Sequence, residues 1–292
     1  MLKESDLKGI YVPVITPFHP DGELDLSSYE RHLNGLLSHD IQGIVLNGTT
    51  GESPTVSWDE VIRLMRTTET ARQCNGRHIP VIIGTGTNDT ISSIKRTEQA
   101  GLLGADAALV VVPYYNRPSQ EGIIAHYRAV AQVGIPVIAY EIPSRTGVRV
   151  QADTMRAILD IDGVIGLKDS SGGIELVAEL SAYSDCKPIL CGEDALFHAM
   201  MCQGASGGML ASANVRTGDF VQVYRFASEG RMNEAGDAFR RLLPLISLLF
   251  QESNPAPLKW LLAQQGVLSS DTLRLPMTSI SSMLQTRMKM LI

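Results

Sequence analysis

Short apolar runs alternate with amphipathic stretches along most of this chain. The first run covers residues 9–17, with Ile-Tyr-Val-Pro-Val-Ile-Thr in its middle. Seven more follow at 43–46, 80–84, 107–112, 136–140, 164–169, 188–192 and 207–211. Each is brief, apolar and edged by glycine, proline or polar residues, which predicts strands of a parallel sheet buried on both faces. The stretches between them predict helices. Ser27-Ser28-Tyr29-Glu30 has the form of a capping box, ahead of a helix carrying Leu33, Leu36 and Leu37. Ser57-Trp58-Asp59-Glu60 is a second capping box, with a helix to about Gln73. Ile91, Ile94 and Ala100 mark the next helix, and Ile123, Tyr127 and Val130 the one after. Asp153 is the expected cap of another, and Glu193-Asp194 starts a helix through Met201.

Eight such units, at a regular spacing of roughly 25–30 residues, predict an α/β fold of the (β/α)8 TIM-barrel type rather than an open doubly wound sheet. After Asn214 the apolar runs stop. Residues 220–229, 233–250, 258–265 and 279–292 predict helices, punctuated by Pro255, Pro257 and Pro276. The first completes the barrel. The expected organisation is a barrel over 1–230 and a C-terminal helical extension over 231–292, packed on the barrel or on a partner.

Composition narrows the function classes. The 292 residues carry a net charge of −6, with 19% charged and 44% hydrophobic residues, as in ordinary globular proteins. No apolar run approaches the roughly 18 residues that span a membrane. Residues 1–6 are polar and charged, with no signal-peptide core. Scattered basic residues on an acidic chain argue against a nucleic-acid surface. Cys74, Cys186, Cys191 and Cys202 form no C-x-x-C pair, and the six histidines form no zinc-type cluster. Neither a metal nor a disulfide framework is expected, and buried free thiols in a reducing cytoplasm are.

In a barrel of this kind the active site lies at the C-terminal ends of the strands. The residues there are chemical. Gly48, Thr49 and Thr50 follow the second run, Tyr114 and Tyr115 the fourth, and Tyr140 ends the fifth, with Arg145 just beyond. Lys168 comes near the end of the sixth. Burial there disfavours an ammonium and leaves a nucleophilic amine able to form a Schiff base with a ketone. Such chemistry needs a proton shuttle, which Tyr140 can supply. Threonine hydroxyls and backbone amides can hold one small carboxylate, and an arginine a second. Each residue also has a plainer reading: Lys168 snorkelling to solvent, Gly48–Gly51 as a simple turn, Tyr140 in the core, Arg145 in a surface ion pair. Residues 84–88 vaguely suggest a phosphate loop, but they lack its Gly-Lys-Ser/Thr ending and are expected to be a strand–helix connection.

Four motifs in order carry a resemblance. Gly48-Thr49-Thr50-Gly51-Glu52, Tyr114-Tyr115-Asn116, Tyr140-x-Ile142-Pro143-Ser144-Arg145-Thr146-Gly147 and Gly166-x-Lys168-Asp169 resemble the pyruvate-dependent class I aldolases of the dihydrodipicolinate synthase and N-acetylneuraminate lyase superfamily. So do Asn254-Pro255-x-Pro257-x-Lys259 and Leu273-Arg274-Leu275-Pro276 near the C-terminus. The resemblance implies an imine between Lys168 and pyruvate, with no other cofactor. It implies a relay of Tyr140, Thr49 and Tyr115, with Tyr115 reaching a neighbouring subunit's site. It implies that Thr50 and the Thr49 and Thr50 amides hold the pyruvate carboxylate, with Gly48 in the same loop. Arg145 would receive the second substrate's carboxylate, and a backbone carbonyl near Met209 would face the lysine. A cytoplasmic homotetramer, a dimer of dimers, is implied as well.

Arg145 and the Thr-Thr-Gly-Glu-Ser loop resemble the synthase branch, which condenses pyruvate with L-aspartate 4-semialdehyde in lysine and diaminopimelate biosynthesis. The rival within the same chemistry is a lyase of 2-keto-3-deoxy sugar acids or N-acetylneuraminate. A non-catalytic keto-acid-binding homologue is the alternative from another class. Two departures stand out. Glu141 occupies a position where asparagine is common in the family, and its charge matters if it points toward the substrates. The helix after residues 84–88 lacks the glutamate of lysine-inhibited synthases, so lysine feedback is expected to be weak or absent. Half-inhibition by sub-millimolar lysine would contradict that expectation.

Overall fold

A computed structural model of the protein describes residues 1–291. Its strands are β1 (Gly9–Pro13), β2 (Gly43–Leu46), β3 (Val81–Gly84), β4 (Ala107–Val111), β5 (Val137–Glu141), β6 (Val164–Asp169), β7 (Ile189–Cys191) and β8 (Gly207–Met209). They follow one another in sequence order around a closed barrel. Every strand pair with a recorded register is parallel. The expected fold class is the observed one.

The helices are α1 (Leu26–Leu37), α2 (Trp58–Cys74), α3 (Thr90–Leu102), α4 (Gln120–Ala131), α5 (Pro143–Thr146), α6 (Ala152–Leu159), α7 (Glu175–Ser181) and α8 (Phe197–Cys202). Beyond β8 come α9 (Thr217–Ser228), α10 (Met232–Arg240), α11 (Leu243–Leu249), α12 (Ala256–Gln264) and α13 (Ser282–Met288). Among the described residues no helix is long and apolar enough to cross a membrane.

Several local expectations change. The first run is a strand only over Gly9–Pro13. Asp25, not Ser27, caps α1: its carboxylate accepts from the Ser28 amide at 2.9 Å. Ser57 and Glu60 form the expected reciprocal box on α2. Asp153 lies inside α6, whose cap is Gln151. The long helix expected over 233–250 is broken into α10 and α11, and Pro244 sits in the first turn of the second, where its missing N–H is tolerated. The last expected helix starts at Ser282, and its final residue, 292, lies outside the described residues. All four cysteines are free, but Cys74 and Cys202 are exposed and only Cys191 is buried.

The chain forms two compact units, one of Met1–Tyr11 with Pro80–Leu210, the other of Val12–Ile79 with Ala211–Ile292. The first holds β3 to β8 and the helices between them. Tyr127 on α4 donates to the Val110 carbonyl at 2.8 Å and accepts from the Tyr140 amide at 3.4 Å, so a buried hydroxyl ties this helix to β4 and β5. The second unit has a core of Ile15, Trp260, Leu261, Leu284 and their neighbours. His32 on α1 bonds the Asn214 side chain at 2.8 Å, and Asn214 donates to the Pro13 carbonyl at 2.9 Å.

Candidate functional site

Lys168 on β6 pairs in register with Tyr140 on β5. Successive strand residues face opposite sides, so these two side chains share one face and the next pair, Glu141 with Asp169, shares the other. Lys168 is 6% exposed, and its Nζ lies 4.2 Å from the centre of the Tyr140 ring. The snorkelling alternative therefore fails, and Tyr140 lies against the amine.

Glycine at 192, just past β7, makes room for the Lys168 side chain. A Cβ there would stand 2.8 Å from Lys168 Cε and collide with Ser170 Oγ. Ser170 is buried, and its hydroxyl has no partner among the described residues. Beside it the chain turns acidic. Burial pushes the Glu193 carboxyl up, Asp194 adds to this, and the charges of Lys168 and Arg145 oppose it. Sequence reasoning placed Glu193 and Asp194 only at a helix start and passed over Gly192 and Ser170. The signal was there: all four lie at the ends of β6 and β7, on the side where the chemistry was sought.

Arg145 sits in the single turn of α5 and is exposed. Tyr115 has φ of 72° and is 89% exposed, so its ring is not enclosed with Lys168 and Tyr140. Its amide donates to the Thr146 carbonyl at 3.3 Å, which ties its backbone to the end of α5. Met209 is buried on β8, paired with Tyr11.

In the other unit, Gly48, Thr49 and Thr50 follow β2 in a tight turn. The Gly48 carbonyl accepts from the Gly51 amide at 3.1 Å and the Ser53 amide at 3.3 Å. Thr16 Oγ1 donates to the Gly51 carbonyl at 2.7 Å. Thr50 Oγ1 accepts from Asn254 Nδ2 at 3.1 Å. Glu52, held at φ of 56°, is buried with Lys259: Oε1 meets Lys259 Nζ at 2.5 Å, and Oε2 accepts from the Arg274 amide at 3.2 Å. Lys259 also donates to the Thr272 carbonyl at 2.7 Å. Burial pulls the Lys259 ammonium down to about 8, against the pull of Glu52. Both C-terminal motifs thus end on the loop that carries the two threonines.

The orientation of Glu141 is resolved. It is fully buried on the face opposite Lys168. Its Oε1 accepts from the Val150 amide at 2.9 Å, while Oε2 has no partner among the described residues. Burial pushes its carboxyl up to about 7, with the Asp169 carboxylate adding to the rise. Its charge is thus kept off the face that carries the amine.

The sequence profile of the dihydrodipicolinate synthetase family matches residues 6–292. A 4-hydroxy-tetrahydrodipicolinate synthase of Thiobacillus denitrificans is 40% identical, over 96% of this chain and 94% of its own. Among solved structures, the 4-hydroxy-tetrahydrodipicolinate synthase of Methylacidiphilum fumariolicum superposes with a TM-score of 0.92 at 36% identity, covering 97% of this chain and 94% of its own. The chloride-inhibited dihydrodipicolinate synthase of Acinetobacter baumannii, complexed with pyruvate, gives 0.92 at 33% identity over 97% and 98% of the two chains.

Proposed function

This chain belongs to the dihydrodipicolinate synthetase family, and from that membership we propose that it condenses pyruvate with L-aspartate 4-semialdehyde to give 4-hydroxy-tetrahydrodipicolinate. That is a lyase of the class I type, acting in lysine and diaminopimelate biosynthesis. The observation that carries the reading is the buried amine of Lys168 against the Tyr140 ring, in the space left by Gly192.

Lys168 Nζ attacks the keto carbon of pyruvate and water leaves the carbinolamine, giving an imine. Loss of a methyl proton turns the imine into an enamine, whose carbon attacks the aldehyde carbon while the aldehyde oxygen takes a proton. The amino group of the semialdehyde then adds to the re-formed imine carbon and displaces Lys168 Nζ, which closes the ring and frees the amine. Each step moves a proton, and the Tyr140 hydroxyl is the group assigned to move it. By resemblance, Thr49 and Tyr115 complete the relay. Thr50 and the amides of the Gly48–Thr50 turn hold the pyruvate carboxylate, a carbonyl at Met209 faces the lysine, and Arg145 takes the aldehyde's carboxylate. The preference for this aldehyde over a sugar acid rests on Arg145, because a polyol tail has no carboxylate for it. Assembly as a homotetramer, a dimer of dimers, is part of the reading. Its support is Tyr115, an aromatic held at positive φ and left exposed, a cost repaid if a neighbouring copy receives the ring. Four free cysteines agree with a reducing cytoplasm.

Borohydride added with pyruvate tests the chemistry. The intact protein is expected to gain the mass of one reduced pyruvate per chain, and Lys168→Ala none. Pyruvate consumption with aspartate semialdehyde, set beside cleavage of a 2-keto-3-deoxy sugar acid, tests the substrate. Cleavage of the sugar acid without condensation would overturn the synthase reading.

A further inference from the structure

We propose that Glu141 is a positioning residue for the second substrate: its buried carboxyl clasps the Val150 amide and so closes the loop that presents Arg145. The inference rests on Arg145 being the receptor for the aldehyde's carboxylate.

Within the loop from 142 to 149 the ties are short, and midway the Thr146 carbonyl accepts from the Tyr115 amide of the preceding strand's loop at 3.3 Å. The Arg145 amide donates to the Ile142 carbonyl at 3.0 Å and the Gly147 amide to the Pro143 carbonyl at 3.0 Å. Thr146 Oγ1 donates to the Val148 carbonyl at 2.9 Å. None of these fixes the loop to the sheet. The bond from Val150 to Glu141 spans nine residues and ends on β5, one residue from Tyr140. It returns the far end of the loop to the strand that also carries the assigned proton shuttle. Gln120 brackets the same end from α4, accepting from the Gln151 amide at 3.0 Å and donating to the Arg149 carbonyl at 3.1 Å. Arg149 Nη2 reaches the Ser171 carbonyl at 2.9 Å, and the Ser171 amide donates to Asp169 Oδ1 at 2.8 Å. The loops after β5 and β6 are thereby joined on the face away from the amine.

A glutamate is suited to this task. Its acceptor lies at the end of two methylenes, long enough to cross from the strand to Val150. The charged and titratable groups facing it are Asp169 on β6, Arg149 in the loop and Tyr127 on α4. With Oε2 unpartnered among the described residues, the hydrogen bond that the carboxyl makes is the one it accepts from Val150. A clasp of this kind acts on binding of the aldehyde and leaves imine formation alone, because Lys168 and Tyr140 stand on the opposite face.

Four proteins test it: the wild type, Glu141→Gln, Glu141→Asp and Glu141→Leu. Gln keeps the acceptor at the same reach, Asp shortens the reach, and Leu removes the acceptor. In the Asp and Leu variants the KM for aspartate semialdehyde is expected to rise about five- to tenfold, the equivalent of one lost hydrogen bond. The KM for pyruvate and the rate of borohydride labelling are expected to hold. The Gln variant is expected to match the wild type in all three. Hydrogen exchange should show the Val150 amide protected in the wild type and the Gln variant, and fast in the other two. Unchanged aldehyde KM in the Asp variant, equal losses for both substrates, or failure of Gln to match the wild type would each overturn the clasp. A wild type that gains no mass from pyruvate and borohydride would instead overturn the Schiff-base reading, and this inference with it.

Discussion

Glu141 and Asp169 place two buried carboxyls side by side on neighbouring strands, and both are pushed up from their ordinary range by burial. The consequence for stability has a definite sign. Glu141 titrates at 4.5 when free and at about 7 in the fold. Between those values the folded chain holds a proton that the unfolded chain has released. The contribution of Glu141 to stability therefore falls as pH rises from 4.5 to about 7 and levels off above it. Glu141→Gln has no proton to hold, so relative to this variant the wild type is expected to lose stability across that window, with a slope approaching about 1.4 kcal/mol per pH unit. Urea unfolding of both proteins at several pH values reads the difference, and parallel curves would rule the protonated form out. The sequence marked Glu141 as unusual but could not orient it. A strand buried on both faces shows no polar alternation, so a polar residue in it has no evident side. Lys168 was easier, because an ammonium ending an apolar run is costly on either side.

Signals confined to a few residues were legible at the scale of elements. The Ser57–Glu60 box sits where the pattern put it, and β2 and β6 have the expected bounds. Signals that depend on packing were not. Ser27 has the form of a cap, but Asp25 takes the place because its carboxylate also bonds the hydroxyls of Ser27 and Ser269, the latter 244 residues away. Nor could the sequence show why Asn254, Lys259 and Arg274 accompany the threonine loop. They are its fastening. Lys259→Met leaves Glu52 buried and unpaired, and unfolding experiments are expected to show a loss of about 3–5 kcal/mol. The double variant with Glu52→Gln should recover much of it, since no charge is then left unpaired. A cost below roughly 1 kcal/mol for the single change would mean that water reaches Glu52 and that the pair is ornamental. The loosened loop should also raise the KM for pyruvate.

For the molecule as a whole, the eightfold repeat was the most legible feature, since its period of roughly 25–30 residues recurs whatever the local errors at strand ends. The assembly is the least legible, because it depends on surfaces. If Tyr115 serves a neighbouring copy, two inactive variants should repair each other. Lys168→Ala supplies an intact Tyr115, and Tyr115→Phe supplies an intact Lys168. Mixed and allowed to exchange subunits, they are expected to regain about a quarter of the wild-type activity per site, as a symmetric pair with one restored site in half of its dimers requires. No recovery, with exchange verified by native mass spectrometry, would place Tyr115 outside the neighbour's site. The cysteines bear on the two compact units in another way. Cys74 closes α2 in one unit and Cys202 closes α8 in the other, and both thiols are exposed. Cys191 is buried with its thiol pushed well up, and burial also raises the half-buried Cys186. A thiol-reactive dye under native conditions will therefore favour positions 74 and 202. The wild-type chain thus comes with one accessible attachment point for a dye in each unit and needs no engineered residue to report on the surroundings of either.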